Sequence, residues 1–476
     1  MWYSVKTVPK QHTSEEWTLG AAGEPLRLTP PAASPKTGPT DIVRGTSTRE
    51  IVASVELAVA DGMLRPGAPL PSVRRLAADL GVSPTTAAAA FAELKRRGLV
   101  TSKPRSGMSV AARPPLSGPR RALPMPEGTR DLAGGNPDPA FLPDAHRALA
   151  ALDGLPRLYG EAAVVDELAT VARRALEKDG IDATRLCVVS GALDGIERVL
   201  GAHLRPGDVV AVEDPGFAGV LDLVRALGLV AVGVPVDDDG PRPVGLENAI
   251  GAGARAFILT PRGQNPLGAT LSADRAKALV AVLARHPDVV VIEDDHLGPV
   301  AGAPARTLAG GRGAWASVRS VSKWLGPDLR LAVLVGDPRT IARVEGRQSV
   351  GPGWVSSLLQ RAVAALWSDP ETTGLAHQAA TVYGGRRRAL IEALAGHGIR
   401  AHGASGLNVY VPVPDEAVAA ATLLARGWAV GAGSRHRIES APALRVTVST
   451  LRPEESRRLA SDLADALAPP SRTRAA

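Results

Sequence analysis

Lys323 is the residue in this chain best placed to act as a nucleophile. It follows the strand-like stretch 317–320 and stands among Ser320, Ser322 and Gly326. An amine at a strand end is partly desolvated, so its pKa falls and more of it is free to attack a carbonyl, while neighbouring hydroxyls suit a phosphate. Taken alone, Ser-x-x-Lys favours a surface lysine on a loop, because short motifs recur by chance. Other stretches complete a set. Glu293, Asp294, Asp295 and His296 end a very apolar run, and a carboxylate there needs a cationic partner such as a protonated pyridine nitrogen. Asp295 also reads as a helix N-cap, a reading that fits Asp294 less well. Asn265, in Pro-Arg-Gly-Gln-Asn-Pro-Leu-Gly, offers an amide donor to a phenolic oxygen, or simply makes an Asn-Pro turn. Ala192 and Leu193, in Ser-Gly-Ala-Leu-Asp-Gly, open a helix whose backbone N–H groups can hold a phosphate. Phe217 either stacks on a ring or fills the core.

The elements that must position these residues are legible as runs of Val, Ile and Leu at 186–189, 209–213, 230–234, 256–260, 289–293, 317–320 and 331–335, with helical segments between them. Near-continuous apolar strands alternating with helices predict an α/β unit with a mostly parallel sheet covered on both faces. Each candidate residue then lies at a strand's C-terminal end. Beyond about residue 350, helices and a smaller α+β unit ending near Ala468 predict a C-terminal subdomain.

At 476 residues with 45% apolar content the chain has room for about three domains. No run of eighteen uncharged apolar residues and no charged-then-apolar leader pattern is present, which predicts a cytoplasmic protein with no membrane partner. The single Cys187 lies in an apolar run and reads as an inert buried thiol. No metal site is expected. The net charge of +7 is concentrated, since residues 41–113 hold eleven Lys/Arg against six Asp/Glu, and such a surplus suggests a polyanion partner. Composition predicts a flexible extension over 1–45, a Pro- and Arg-rich linker over 112–130 and a disordered tail over 469–476.

Within the basic segment, Ile51, Val55 and Val59 mark a helix closed by Asp61 and Gly62. Ser72 caps a second helix with Val73, Leu76, Ala77 and Leu80 on one face, and Gly81 ends it. Ser83 caps a third, which buries Ala87, Ala90, Phe91 and Leu94. The arrangement is a helix-turn-helix whose third helix presents Ser83, Thr85 and Thr86 to a major groove and carries Lys95, Arg96 and Arg97 near its end. Residues 99–110 read as two strands around a tip, a wing bearing Lys103 and Arg105.

At Leu70-Pro-Ser-Val-Arg-Arg-Leu-Ala, Gly81-Val-Ser and Arg105-Ser-Gly, residues 46–111 resemble the winged helix-turn-helix of the GntR superfamily. The resemblance implies double-stranded operator DNA as partner, contacted by Ser72, Arg74, Ser83, Thr85, Thr86, Arg97, Lys103, Arg105 and Gly107. Pro84 stands where that family has an arginine. The strand-end set over residues 131–468 resembles fold-type I pyridoxal-phosphate enzymes of the aspartate aminotransferase superfamily. It implies that Lys323 forms the internal aldimine, Asp294 pairs with the pyridine nitrogen, Asn265 contacts the ring hydroxyl and Phe217 stacks on the ring. Ala192, Leu193, Ser320, Ser322 and Arg330 would hold the phosphate, and Arg445 a substrate carboxylate. His296 stands where a tyrosine normally bonds the ring oxygen, and Tyr159 matches a tyrosine that reaches a neighbouring subunit's phosphate. Together the two parts resemble MocR-type transcriptional regulators. That implies a head-to-tail homodimer sensing pyridoxal phosphate or an amino compound, the alternative being a working aminotransferase with an accessory DNA-binding head. A third reading is a structural module without cofactor.

Overall fold

The computed structural model describes residues 43–60, 63–64, 67–96, 99–103, 107–111, 125–153 and 158–468. Residues 1–42 of the expected extension over 1–45, the helix closure at Asp61 and Gly62, Arg97, the wing tip with Arg105, linker residues 112–124 and the tail 469–476 lie outside them, whereas Val43, at the end of that expected extension, is buried in the core of the first unit.

The first unit has three helices, α1 (Thr48–Ala60), α2 (Val73–Leu80) and α3 (Pro84–Arg96), and a two-stranded wing, β1 (Val100–Lys103) paired with β2 (Gly107–Val110). Its core follows the helical spacing. Ile51, Val55, Leu76, Ala77, Ala87, Ala90, Phe91 and Leu94 are all buried, with Val52 and Ala58 beside them, while Val59 is only half-buried. Ser72 accepts from the Arg75 N–H at the start of α2, and Gly81 closes that helix with a positive φ of 65°.

The second unit opens with β3 (Arg130–Asp131). Its main sheet comprises β4 (Leu186–Val189), β5 (Val209–Asp214), β6 (Val230–Asp237), β7 (Gly240–Pro241), β8 (Ala254–Leu259), β9 (Val290–Asp295), β10 (Trp315–Ser320) and β11 (Ala332–Gly336), with helix α4 (Ala192–His203) following β4. The order is β4-β11-β10-β9-β8-β5-β6-β7. Strands β10, β9, β8, β5 and β6 run parallel, whereas β11 is antiparallel to both β10 and β4, and β7 to β6. Apolar periodicity carries no direction, so the mixed character was not visible in the sequence. Separate apolar clusters cover the two faces, one around Phe257, Leu259 and Val291, the other around Val199, Leu200 and Ile292, which is why these strands are apolar on both sides.

The small subdomain joins the long helix α5 (Pro370–Ala395) to a sheet of β12 (Asn408–Pro412), β14 (Gly431–Ala432) and β15 (Ala443–Thr447), closed by α6 (Pro453–Leu467). Strand β13 (Trp428–Ala429) pairs in parallel with β3. Arg130, the last residue of the expected linker, is thereby built into the subdomain, where it also pairs with Glu455 at 2.9 Å. Among the described residues no helix is long and apolar enough to cross a membrane.

Candidate functional site: a pocket at the strand ends

The turns after β4, β5, β8 and β10 and the end of β9 converge on one pocket of about 280 Å³. It is lined by Ala192, Leu193, Phe217, Asn265, Asp294, His296, Ser320, Ser322, Lys323, Arg330 and Arg445, so every pocket residue expected from sequence except Tyr159 is brought together. Gly134, Gly135, Leu297, Pro327, Leu407 and Asn408 complete it.

Asp294 is the most telling of these. It is buried to 2% exposure at the end of β9, and its Oδ1 has no hydrogen-bond partner. Burial and the adjacent Asp295 push its carboxyl up to about 7. An unsatisfied buried carboxylate aimed into a pocket is costly by itself and is relieved by a cation with an N–H, the property of a protonated pyridine ring. Asp295 behaves oppositely. Its oxygens accept from Arg319 Nε at 2.8 Å and Arg262 Nη2 at 2.9 Å, and the two guanidiniums hold it well below the usual carboxylate range despite its burial. Asp179 closes the network at 2.7 Å from Arg319. The N-cap reading of Asp295 is therefore incomplete: it does accept from the Gly298 N–H at 3.2 Å, but its main partners are two arginines far away in sequence.

Lys323 Nζ donates to the Gly135 carbonyl at 2.7 Å, and its amine is shifted down, by burial first and then by Arg445. On the phosphate side, α4 presents the unpaired N–H groups of its first turn. Gly191 precedes it with φ 99°, and a Cβ there would lie 2.7 Å from Arg330 Nη2, so close approach of the arginine requires glycine. Arg330 adopts the left-handed φ of 43° and reaches the Ser190 carbonyl at 3.4 Å. Ser320 Oγ and Ser322 Oγ stand 3.2 Å apart.

Arg445 projects from β15 and is held on several sides. It donates to the Ala133 carbonyl, to Asn265 Oδ1 at 3.3 Å and toward His436 Nε2 at 3.5 Å. Burial first, then Arg435, pulls it down to about 10. His436, which the sequence reading missed, has Nδ1 3.1 Å from the Gly216 carbonyl beside Phe217 and is pushed down to about 4 by burial and Arg445, so it is neutral near pH 7. His296 is likewise pushed down to about 4, by burial and then Lys323.

Tyr159 is not part of its own chain's pocket. It is 92% exposed and meets Trp354 edge-on with ring centroids 5.4 Å apart. In the first unit, Ser72, Arg74, Ser83, Thr85 and Gly107 are exposed. Ser83 Oγ accepts from the Thr86 N–H at 3.0 Å and bonds Thr86 Oγ1 at 2.8 Å, so that pair also holds the helix start. Lys103 lies in β1, opposite Gly107.

An orphaned carboxylate, a depressed lysine, a helix-start anion cradle and an arginine in one pocket of an α/β sheet fit pyridoxal phosphate. The chain belongs to the aminotransferase class I and II family, whose model matches residues 131–463, and its first unit matches the gntR family of bacterial regulatory proteins over residues 47–110. It is 42% identical over 433 residues, 90% of this chain and all of the other, to the vitamin B6 salvage pathway transcriptional repressor PtsJ of Salmonella typhimurium. Over 77% of this chain and 83% of the other it is 27% identical to the HTH-type transcriptional regulator TauR of Rhodobacter capsulatus. Among solved structures, the multiple substrate aminotransferase of Thermococcus profundus shares the fold with a TM-score of 0.65 at 22% identity, over 72% of this chain and 92% of that one.

Proposed function

We propose that this protein is a transcriptional regulator that binds operator DNA through a head at residues 46–111, a linker at 112–130 joining it to a body at 131–468 whose pocket binds pyridoxal phosphate at Lys323. The observation that carries the reading is the full-length similarity, both units included, to a repressor of vitamin B6 salvage. Bound pyridoxal phosphate supplies an aldehyde that a primary amine joins with loss of water, and a ring nitrogen that draws electrons when protonated. Asp294 holds the proton on that nitrogen, and Phe217 covers the ring. The first-turn N–H groups of α4, Ser320, Ser322 and Arg330 neutralise the phosphate. Asn265 keeps its amide nitrogen for the ring hydroxyl while its Oδ1 faces Arg445. Lys323, shifted down, offers a free amine. The exposed Thr85 reads base edges, whereas Ser72, Arg74, Lys103 and the wing arginine Arg105 meet the backbone.

A head-to-tail homodimer in the cytoplasm belongs to this reading, with the exposed Tyr159 reaching the partner's phosphate. The second reading, a working aminotransferase, is favoured by Arg445, which suits a substrate α-carboxylate and is superfluous if pyridoxal phosphate alone is sensed. Borohydride reduction of the cofactor-treated protein followed by peptide mapping tests the pocket and should label Lys323; a label on another lysine, or none, rejects it. An assay for keto-acid formation from amino acids separates the readings, since many turnovers with no cofactor effect on DNA binding would leave the enzyme reading standing.

A further inference from the structure

Immediately after β3 the chain crosses the mouth of the pocket as a strap of four residues, Ala133 to Asn136, and the strap is fastened by the pocket's own functional side chains. Lys323 Nζ donates to the Gly135 carbonyl at 2.7 Å, and Arg445 Nη2 donates to the Ala133 carbonyl. Gly135 is favoured at this spot by its left-handed φ of 69°, although a Cβ there would meet the Arg445 guanidinium only at an ordinary contact distance of 3.7 Å. Outside the pocket, Asp131 Oδ1 shapes the strap by accepting from the N–H groups of Ala133 at 2.8 Å and Gly134 at 3.1 Å, and Ser449 Oγ donates to the Asn136 carbonyl at 2.6 Å. On its other side the strap follows β3 and Leu132, and the Arg130 and Leu132 N–H groups bond the Gly427 and Ala429 carbonyls. Only eight residues, 125–132, separate Ala133 from position 124 in the linker toward the DNA-binding unit.

We propose that the strap is an internal competitor for the two groups that anchor a ligand, and that its release carries occupancy of the pocket to the linker; this rests on the cofactor reading above. The competition is chemical. When the Lys323 amine condenses with an aldehyde, its nitrogen forms a double bond to the carbonyl carbon and the carbonyl oxygen leaves as water. A nitrogen so joined keeps at most one hydrogen in place of three and is tethered to the ring, so the bond to the Gly135 carbonyl is lost. An α-carboxylate is a better acceptor for Arg445 than the neutral Ala133 carbonyl, because it brings a full negative charge and two oxygens that can take parallel N–H bonds from the guanidinium. Each anchoring event therefore opens one latch, and a ligand with both groups opens two.

Two probes separate the latches. Pyridoxal phosphate engages Lys323 and carries no α-carboxylate, whereas N-(5′-phosphopyridoxyl)-L-alanine carries the carboxylate and leaves the lysine unmodified. Hydrogen exchange of the full-length protein should show the amides of Ala133 to Asn136 exchanging at least about tenfold faster with either probe than without. Asp131 does not line the pocket but its charge acts on Arg445, so Asp131→Ala removes the turn and the charge together while Asp131→Asn removes the charge alone. Asp131→Ala should exchange fast in the strap with no probe and have an unliganded operator affinity shifted toward the liganded value, within a wild-type response of about 5- to 150-fold. Asp131→Asn, which keeps the acceptor, should behave as wild type. If both probes bind and operator affinity changes while strap exchange stays the same or slows, the strap is not the carrier and the proposal is overturned. If neither probe binds, the cofactor reading itself fails and takes the strap with it.

Discussion

The two units place their functional residues on opposite terms with water. In the first, Thr85, Ser72 and Arg74 stand exposed on a unit whose core, from Ile51 to Val110, is wholly apolar. In the second, Asp294 and Asp295 at the end of β9 and Arg445 in the middle of β15 are each under a tenth exposed. Exposed polar residues cost the fold nothing and are free to vary with the sequence they read, whereas buried charges must be met by partners or by a ligand. Asp294 and Asp295 show both solutions one residue apart, the second satisfied by two arginines and the first left open.

The widest gap between the units should come from breaking the satisfied pair. Asp295→Ala leaves Arg262 and Arg319 buried with only the partly exposed Asp179, and should destabilise the second unit by about 3–5 kcal/mol in urea unfolding. A DNA titration of the same variant should find affinity per folded molecule unchanged.

Asp294 gives a smaller effect with a distinctive pH signature. Its folded pKa of about 7 lies above the ordinary 3.8, so the folded state binds the extra proton and, without cofactor, stability falls as pH rises from about 4 to about 7, by at most about 4 kcal/mol from this group. Glu213, up at about 8, and Glu293, up at about 7, act in the same direction, so the difference between Asp294→Asn and wild type isolates one share. The variant should be the more stable of the two at pH 8 without cofactor and equal to it at pH 4, yet bind pyridoxal phosphate more weakly. An unchanged cofactor affinity would show that Oδ1 does not face the ring nitrogen.

These contrasts also mark what was readable in the sequence. Lys323, Asp294, Asn265, Phe217 and the α4 start were legible because each sits within a few residues of an apolar strand end, and strand ends of one sheet must converge. The helical spacing of Leu76, Ala87 and Phe91 announced the first unit equally well. The Arg262–Asp295–Arg319 network was not legible, since its members lie 24 and 33 residues apart and only the sheet register brings them together. Gly134 and Gly135 resembled linker residues because a backbone carbonyl that takes a bond from Lys323 leaves no trace in side-chain type. His436 gave no signal either, being a single histidine at the end of a short 3-10 helix.

Gly191→Ala sharpens the comparison within the pocket. A Cβ 2.7 Å from Arg330 Nη2, on a residue with φ 99°, should displace the arginine and weaken cofactor binding with little loss of DNA affinity. Titration of cofactor absorbance measures it, and an unaltered midpoint would take Arg330 out of the phosphate site.

The smallest effects belong to the first unit. Ser83→Ala removes the acceptor at the start of α3 and should cost that unit about 1 kcal/mol, read as thermal unfolding, with no change in the cofactor spectrum. Thr85→Ala should leave stability within about 0.5 kcal/mol and alter instead which duplexes are selected from a random pool.

The claim that the buried site governs the exposed one is tested most directly by titrating a selected operator duplex with wild type and Lys323→Ala, each with and without pyridoxal phosphate. A ligand shifts a population only through differential affinity for its states. Wild type should change operator affinity by about 5- to 150-fold on adding the cofactor, while Lys323→Ala binds DNA and does not respond. A wild type that binds the cofactor at Lys323 without any change in DNA affinity, or a variant that responds as wild type does, would contradict it.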